Sequence, residues 1–383
     1  MERFEVYIFT ALCSVNFLIS CLLFSKITRE QRDPYMDEIF HVPQAQKYCE
    51  GKFNEWDPMI TTLPGLYLVS VGLIKPVVWL ADLKGSVVCS TAMLRFINLL
   101  FNSGNLYIIY LIICRLHMKD KSRSATRRMF SALALSTFPV LYFFTFLYYT
   151  DAGSTFFTLF MYLMALYGCH KAAALLGICA ILFRQTNIIW VAFCAGTVVA
   201  QKMDESWRNE SKKRDEKSPS QVPLTISGAM KVVRFLLEFL KTPNNIKAVV
   251  LSTWPYITVA LVFVAFVVLN DGIVVGDRSS HEAFPGYVFA AWNFLDTLRS
   301  KSLFWLLVFS TCLVAATVPQ KLLEFRYFIL PYLLYRVHIP VPSLPRLLLE
   351  FGLYTAVNAA TVYIFIYKTF QWPDNTAAQR FMW

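Results

Sequence analysis

Asp37 and Glu38 stand side by side in the stretch Tyr35-Met36-Asp37-Glu38-Ile39-Phe40-His41-Val42-Pro43-Gln44-Ala45-Gln46-Lys47-Tyr48-Cys49, with His41 one helical turn further on. A carboxylate in such a stretch can take a proton from an attacking hydroxyl, and an imidazole beside it can bind or polarise the reacting groups. The stretch follows the first apolar run, residues 6–24, so it lies just outside a membrane span. Polar groups held near lipid are costly, which marks these residues as functional candidates. A structural role competes with this reading: the two acids could charge and cap the first turn of an interfacial helix, with Pro43 bending or restarting it and Gly51 ending it.

The elements that must position these residues are membrane helices. Of 383 residues 56% are hydrophobic and only 16% charged, with mean hydropathy +0.48, which argues against soluble domains. Apolar runs of about 20 residues recur, and lipid forces backbone polar groups to be satisfied within each span. The fold class is therefore an all-α, polytopic integral membrane protein. The net charge of +11 crowds into two loops between spans, the positive-inside pattern rather than a nucleic-acid footprint. Seven of the nine cysteines fall inside apolar runs and behave as small hydrophobes. Cys49 and Cys89 fall in external loops, where a disulfide is permitted but not fixed by spacing. No C-x-x-C pair or H-E-x-x-H string implies a metal site, and no cofactor is implied.

In chain order, residues 6–24 form a retained anchor. Residues 61–81, interrupted by Pro64, Gly65, Gly72 and Pro76, are too short to cross and lie along or dip into the membrane. Residues 95–116 span, and lead into the basic loop Lys119, Lys121, Arg123, Arg127, Arg128. Residues 129–149 and 152–169 form a hairpin with Thr150-Asp151 at its tip. Residues 172–200 read as two half-length helices meeting at Arg184-Gln185-Thr186-Asn187, which leaves both basic loops on one side of the membrane. Residues 201–230 read as a loose charged loop and 231–241 as a basic amphipathic helix on the membrane surface or in solvent. Residues 249–269 span again, and shorter apolar stretches follow near 287–298, 303–318, 326–337 and 351–367. Local charge after the first span favours an external amino terminus, in conflict with the resemblance described next.

The strings YMDEIFHVPQAQKYC, WDPMITTLPGLY (56–67), RQTNIIW (184–190), VVGDRSSHEA (274–283), VPQKLLEFRYFILPY (318–332) and the tail KTFQWP with QRFMW resemble, in the same order, those of the α-1,2-glucosyltransferase family of the endoplasmic reticulum. That family uses dolichyl-phosphate glucose and adds the last glucose of the lipid-linked N-glycan precursor. The resemblance implies a GT-C-type fold of roughly ten membrane helices, some short or broken. It implies one polytopic domain over 1–383, with the first luminal loop at 25–60, a charged cytosolic loop at 201–247 and a luminal loop at 270–286, and a cytosolic amino terminus. It also implies a multi-pass protein of the endoplasmic reticulum membrane with its site on the luminal side. Donor and acceptor are then the partners, together with membrane lipid and no nucleic acid.

On the same resemblance Asp37 is the base that accepts the acceptor's hydroxyl proton, with Glu38 the nearest substitute and Asp33 behind it. A phosphate leaves readily once its charge is met, so cations near apolar segments are its candidate partners: Arg184, Lys321 and Arg326. Each has another reading, since Arg184 could snorkel and Lys321 could pair with Glu324. His41 and His281 could bind sugar hydroxyls or phosphate. Trp56 and Tyr67 could stack on a sugar or belong to an interfacial belt. One departure stands out. Longer family members carry, after the GDRSSHEA string, two further spans and a luminal loop with a D-N-R-H-Y motif, whereas here Ala283 is followed directly by Phe284-Pro285-Gly286-Tyr287. A chain without that loop is expected to insert but to transfer glucose poorly or not at all. The alternatives are a shortened, non-catalytic family member that binds partners, or a lipid or solute carrier; a carrier calls for paired intramembrane acids or an internal repeat, and the sequence has neither.

Overall fold

The computed structural model describes residues 3–80, 89–117, 125–213, 226–273, 275, 301–317, 324–372 and 375–382. Helix α1 (Arg3–Glu30) opens the chain. Near its start the Glu5 carboxylate accepts hydrogen bonds from Tyr110 (2.6 Å) and Arg128 (2.8 Å). The amino-terminal end therefore shares one face of the bundle with the basic residues around Arg128, while the Asp37 stretch leaves α1 at the opposite end. The amino terminus and the acidic loop thus lie at opposite ends of α1.

Next come α2 (Glu38–Cys49), α3 (Gly65–Leu80) and α4 (Thr91–Leu116), then α5 (Ala125–Ser136) and α6 (Pro139–Phe144). They are followed by α7 (Thr150–Leu166), α8 (His170–Phe183) and α9 (Ile188–Lys213). The remaining helices are α10 (Ile226–Lys241), α11 (Pro243–Leu269), α12 (Leu303–Thr317), α13 (Ile329–His338) and α14 (Leu344–Tyr367). Helices α1, α4, α11 and α14 are long and apolar enough to cross a membrane, and α3, α8 and α12 are shorter apolar helices. Their lipid-facing character shows in exposed side chains such as Leu22, Leu261, Leu269 and Leu349.

Four expectations are corrected. Residues 129–149 are not one helix: Pro139 lacks the N–H that would continue α5, and across the break the Asn358 amide donates to the Thr137 carbonyl at 2.8 Å. The turn of the hairpin lies at 145–149, and Thr150 and Asp151 already belong to the first turn of α7. The segment after Ala200 stays helical to Lys213, so the second half of the broken helix is full length rather than half length. A small antiparallel ribbon, β1 (Phe370–Trp372) and β2 (Asn375–Gln379), is added to an otherwise helical chain.

The break at Arg184 is as the sequence suggested. Arg184 is extended, Gln185–Asn187 make one 3-10 turn, and the Asn187 amide donates to the Ala180 carbonyl (2.7 Å) and to Ser154 (2.8 Å). That side chain adds a second donor to a carbonyl that also accepts from the Arg184 N–H (3.1 Å), and ties the break to α7. Gly65 permits the closest approach here, since a Cβ on it would lie 2.6 Å from the Leu182 backbone. On α4 the buried residues Asn98 and Asn105 donate to the carbonyls of Leu147, Tyr149 and Ala152, which fixes the 145–149 turn and the start of α7. The Cys49–Cys89 disulfide, left open by the sequence, ties the end of α2 to the segment entering α4.

Candidate functional site

Asp37 is the residue before α2, the usual place for a capping side chain, yet it makes no cap hydrogen bond. Its Oδ2 instead accepts from Arg326 Nη1 at 3.1 Å, and its side chain remains 43% exposed. Oδ1 has no hydrogen-bond partner among the described residues. The backbone N–H of Asp37 donates to the Tyr149 hydroxyl (3.1 Å), which fixes the carboxylate relative to the 145–149 turn. Met36, with φ 54°, supplies the left-handed bend that directs the chain into this position.

Glu38 has the opposite environment. It is fully buried, and its two oxygens accept from Arg95 Nε (2.8 Å) and Nη2 (2.6 Å), from the Tyr148 N–H (2.6 Å) and from the Tyr35 N–H (3.0 Å). The bidentate pair with an equally buried Arg95 ties α2 to α4, and no exposed lone pair faces a substrate. Residues adjacent in a helix differ by about 100° around its axis, so one acid of the pair points to the open side and the other into the core.

Arg326 lies in a 3-10 turn (Phe325–Phe328) before α13 and is ion-paired with Glu324 as well as Asp37. Its guanidinium sits 5.6 Å from the Tyr149 ring centre and 5.8 Å from that of Phe144. Arg184 pairs with Asp151 Oδ1 at 3.0 Å and lies 5.3 Å from the Tyr327 ring centre. Both arginines line one open cavity, with Asp151, Asn187, Trp190 and Tyr327 among its other walls. Asp151 is buried, and its second oxygen has no hydrogen-bond partner among the described residues. In the sequence Asp151 has the form of a turn residue; an acid flanked on both sides by apolar runs is the available signal.

His41 is half-buried, with its Nδ1 2.5 Å from the Tyr67 hydroxyl and its ring beside that of Tyr149. Burial pushes its pKa down to about 4, with Arg326 and Arg184 adding to the effect and Asp37 opposing it. Tyr67 is itself fully buried against Tyr48 and Trp56, so its ring is not free to stack on a sugar. Asp33 is exposed, and its backbone carbonyl accepts from Arg95. Lys321 and His281 lie outside the described residues. Asp37, His41, Arg184 and Arg326, drawn from separate stretches of the sequence, thus meet at one end of the bundle. Among the described residues no group of three or more His, Cys, Asp or Glu side chains is placed to hold a metal ion.

These features define a polytopic helical membrane protein with an acid beside a two-arginine cavity at the end of the bundle opposite its basic residues. The chain belongs to the DIE2/ALG10 family, whose family model matches residues 31–285 and 282–337. It is 46% identical over 476 aligned positions to a Mus musculus protein and 45% identical over 474 to a Homo sapiens protein, with each chain covered completely. An Arabidopsis thaliana protein is 28% identical over 487 positions, covering 92% of this chain and 95% of its own. All three relatives carry the name Dol-P-Glc:Glc(2)Man(9)GlcNAc(2)-PP-Dol alpha-1,2-glucosyltransferase. No solved structure matches the chain. The 476 positions of the mouse alignment exceed the 383 residues present here, and the two family matches meet at 282–285. The relatives therefore carry a segment without counterpart, at the point where the sequence departs from the longer pattern.

Proposed function

We propose that the chain transfers glucose from dolichyl-phosphate glucose to the diglucosylated lipid-linked oligosaccharide, forming an α-1,2 linkage with inversion. The observation that carries this reading is the Asp37 carboxylate held against Arg326, which lines one cavity together with Arg184. The acceptor hydroxyl attacks the anomeric carbon, its C–O bond forms as the bond from that carbon to the phosphate oxygen breaks, and dolichyl phosphate leaves. Asp37 takes the hydroxyl proton, with Oδ1 open to do so, and Arg326 and Arg184 meet the charge on the phosphate. The name carried by relatives identical at 45–46% over their full length supports donor and acceptor.

The fold reading is a GT-C-type bundle of roughly ten membrane passages. Support comes from the segments that run between the two ends of the bundle, α1, α4, α5 with α6, α7, α8, α9, α11, α12, α13 and α14, which alternate in direction from α1 to α11 and again from α12 to α14. The positive-inside rule assigns the end with Arg128 to the cytosol and the Asp37 end to the lumen of the endoplasmic reticulum. The Cys49–Cys89 disulfide at the Asp37 end suits an oxidising lumen.

A second reading, a shortened and non-catalytic family member, is favoured by the segment that the relatives carry and this chain lacks. Purified protein incubated with dolichyl-phosphate glucose and acceptor separates the two. Slow addition of one glucose, lost in Asp37→Asn, supports the transferase; a folded, inserted protein with no transfer supports the alternative.

A further inference from the structure

The tail of the chain folds back onto the end of the bundle that holds Asp37. Arg380 makes contacts with three separate elements there. Its Nη1 donates to the carbonyls of Phe365 (2.8 Å) and Ile366 (3.0 Å) at the end of α14, and its Nη2 donates to the Glu30 carbonyl (3.2 Å) at the end of α1. Its Nε donates to Gln31 Oε1 at 2.8 Å. These carbonyls have no partner within their own helices, and a cation at two helix C-termini also complements both dipoles. The guanidinium lies 5.5 Å from the ring centre of Phe365, whose other neighbours include the edge of Tyr35.

The backbone of Arg380 is bound as well. The Tyr35 hydroxyl donates to the Arg380 carbonyl (2.9 Å) and accepts from the Arg380 N–H (2.8 Å). Tyr35 precedes Asp37 by two residues. Two residues beyond Arg380, the Met382 sulfur accepts from the Tyr149 hydroxyl at 3.9 Å, the same hydroxyl that receives the Asp37 N–H. The tail thus touches the Asp37 loop from both sides, through Tyr35 and through Tyr149.

We propose that residues 378–382 act as a clasp that holds the Asp37 loop in its working position, with Arg380 and Tyr35 as positioning residues for the transfer site. The proposal rests on the functional reading above only for its effect on rate; the clasp itself is a statement about the loop. A loop that moves by even 1 Å costs rate without changing chemistry, and up to about 100-fold is expected for such misplacement. The clasp therefore affects turnover more than donor affinity, because Arg184 is held by Asp151 on α7 and Arg326 by Glu324 as well as by Asp37.

The test uses the full chain with Tyr35→Phe, Arg380→Ala and both together. Tyr35→Phe keeps the ring packed on Phe365 and removes only the two hydrogen bonds, so it carries the test even where Arg380→Ala fails to fold. Hydrogen exchange of the amides of residues 35–41 is measured alongside the thermal midpoint and, with dolichyl-phosphate glucose and acceptor, kcat and KM. The expected result is exchange roughly tenfold faster at 35–41 with the midpoint nearly unchanged, kcat roughly tenfold lower with donor KM within about twofold. The double variant should then be no worse than the more affected single one. Unchanged exchange at 35–41 in both single variants overturns the proposal, as does a uniform rise in exchange with a matching fall in the midpoint. Faster local exchange in a chain whose parent shows no glucose transfer supports the clasp and counts against the functional reading alone.

Discussion

The Asp37 carboxylate and the Arg326 guanidinium, 289 residues apart in sequence, meet at 3.1 Å. The contact joins the loop after the first span to the turn before α13, and places an acid with one open oxygen on an arginine that shares a cavity with Arg184. A helix cap would have used Asp37 locally; the long-range partner gives it a different task.

Glu38 and Asp37 respond differently to amide substitution. Glu38→Gln leaves Arg95 buried with an incomplete partner, and breaking a buried pair costs roughly 3–5 kcal/mol. The expected outcome is a large fall in the thermal midpoint and in membrane yield, with remaining folded protein still active. Asp37→Asn should leave the midpoint nearly unchanged. A Glu38→Gln protein as stable as its parent, followed by fluorescence-detected chromatography on heating, would remove the structural role.

Arg184→Gln and Arg326→Gln should weaken the donor more than the acceptor, because each takes away a charge-assisted contact to phosphate worth about 1.5–3 kcal/mol. The corresponding rise in donor KM is about 10- to 100-fold. Asp151→Asn should share the effect of Arg184→Gln, since its Oδ1 holds that side chain at 3.0 Å. Equal KM values for donor in all three variants and the parent would refute the phosphate assignment.

How far the sequence discloses this site depends on what each residue needs. Asp37, Arg184 and Arg326 are polar groups beside apolar runs, so their cost near lipid marks them, and Arg184 also sits in a polar run that breaks a helix. Asp151 was hidden because a two-residue polar gap between apolar runs has the form of a turn; only tertiary packing shows it in the first turn of α7. The burial of Glu38 depends on Arg95, which at the start of an apolar run looks like an interfacial anchor. The charged residues 201–213 lack the apolar pattern of a span, and packing of Trp207 on Phe235 and Phe304 shows why they are helical all the same. The break near Pro139 could have been inferred from the proline itself.

His41 gives a pH signature. Its folded pKa of about 4 lies below the ordinary value of 6.5, so between those limits the unfolded chain binds a proton that the folded chain does not. Its contribution to stability is thus constant above about pH 6.5 and is lost progressively as pH falls toward about 4. His41→Gln should flatten that slope in a plot of thermal midpoint against pH. An identical slope in the variant would show that His41 is not its source.

The Cys49–Cys89 bond closes a 40-residue separation and should contribute about 2–4 kcal/mol. Thiol labelling of the denatured protein should find both cysteines blocked before reduction and reactive after it. Cys49→Ser should lower the thermal midpoint and expose Cys89 to labelling; two free thiols in the untreated protein would contradict the bond.

Asn209, in the sequon Asn209-Glu210-Ser211, lies near the end of α9, next to Trp207 and away from the Asp37 end. In the proposed orientation it faces the cytosol and carries no glycan. Glycosidase treatment should leave electrophoretic mobility unchanged. A glycan on Asn209 would invert the assignment of the two ends.

The most direct measurement is glucose transfer from dolichyl-phosphate glucose to the diglucosylated lipid-linked oligosaccharide, by purified parent and Asp37→Asn proteins matched for thermal midpoint. The parent should add one glucose, slowly for want of the segment its relatives carry, and the variant should be about 100-fold or more slower, as expected for loss of a general base. Transfer at the same rate by both proteins, or no transfer by a folded parent, would contradict the assignment of Asp37 as the base of a working transferase.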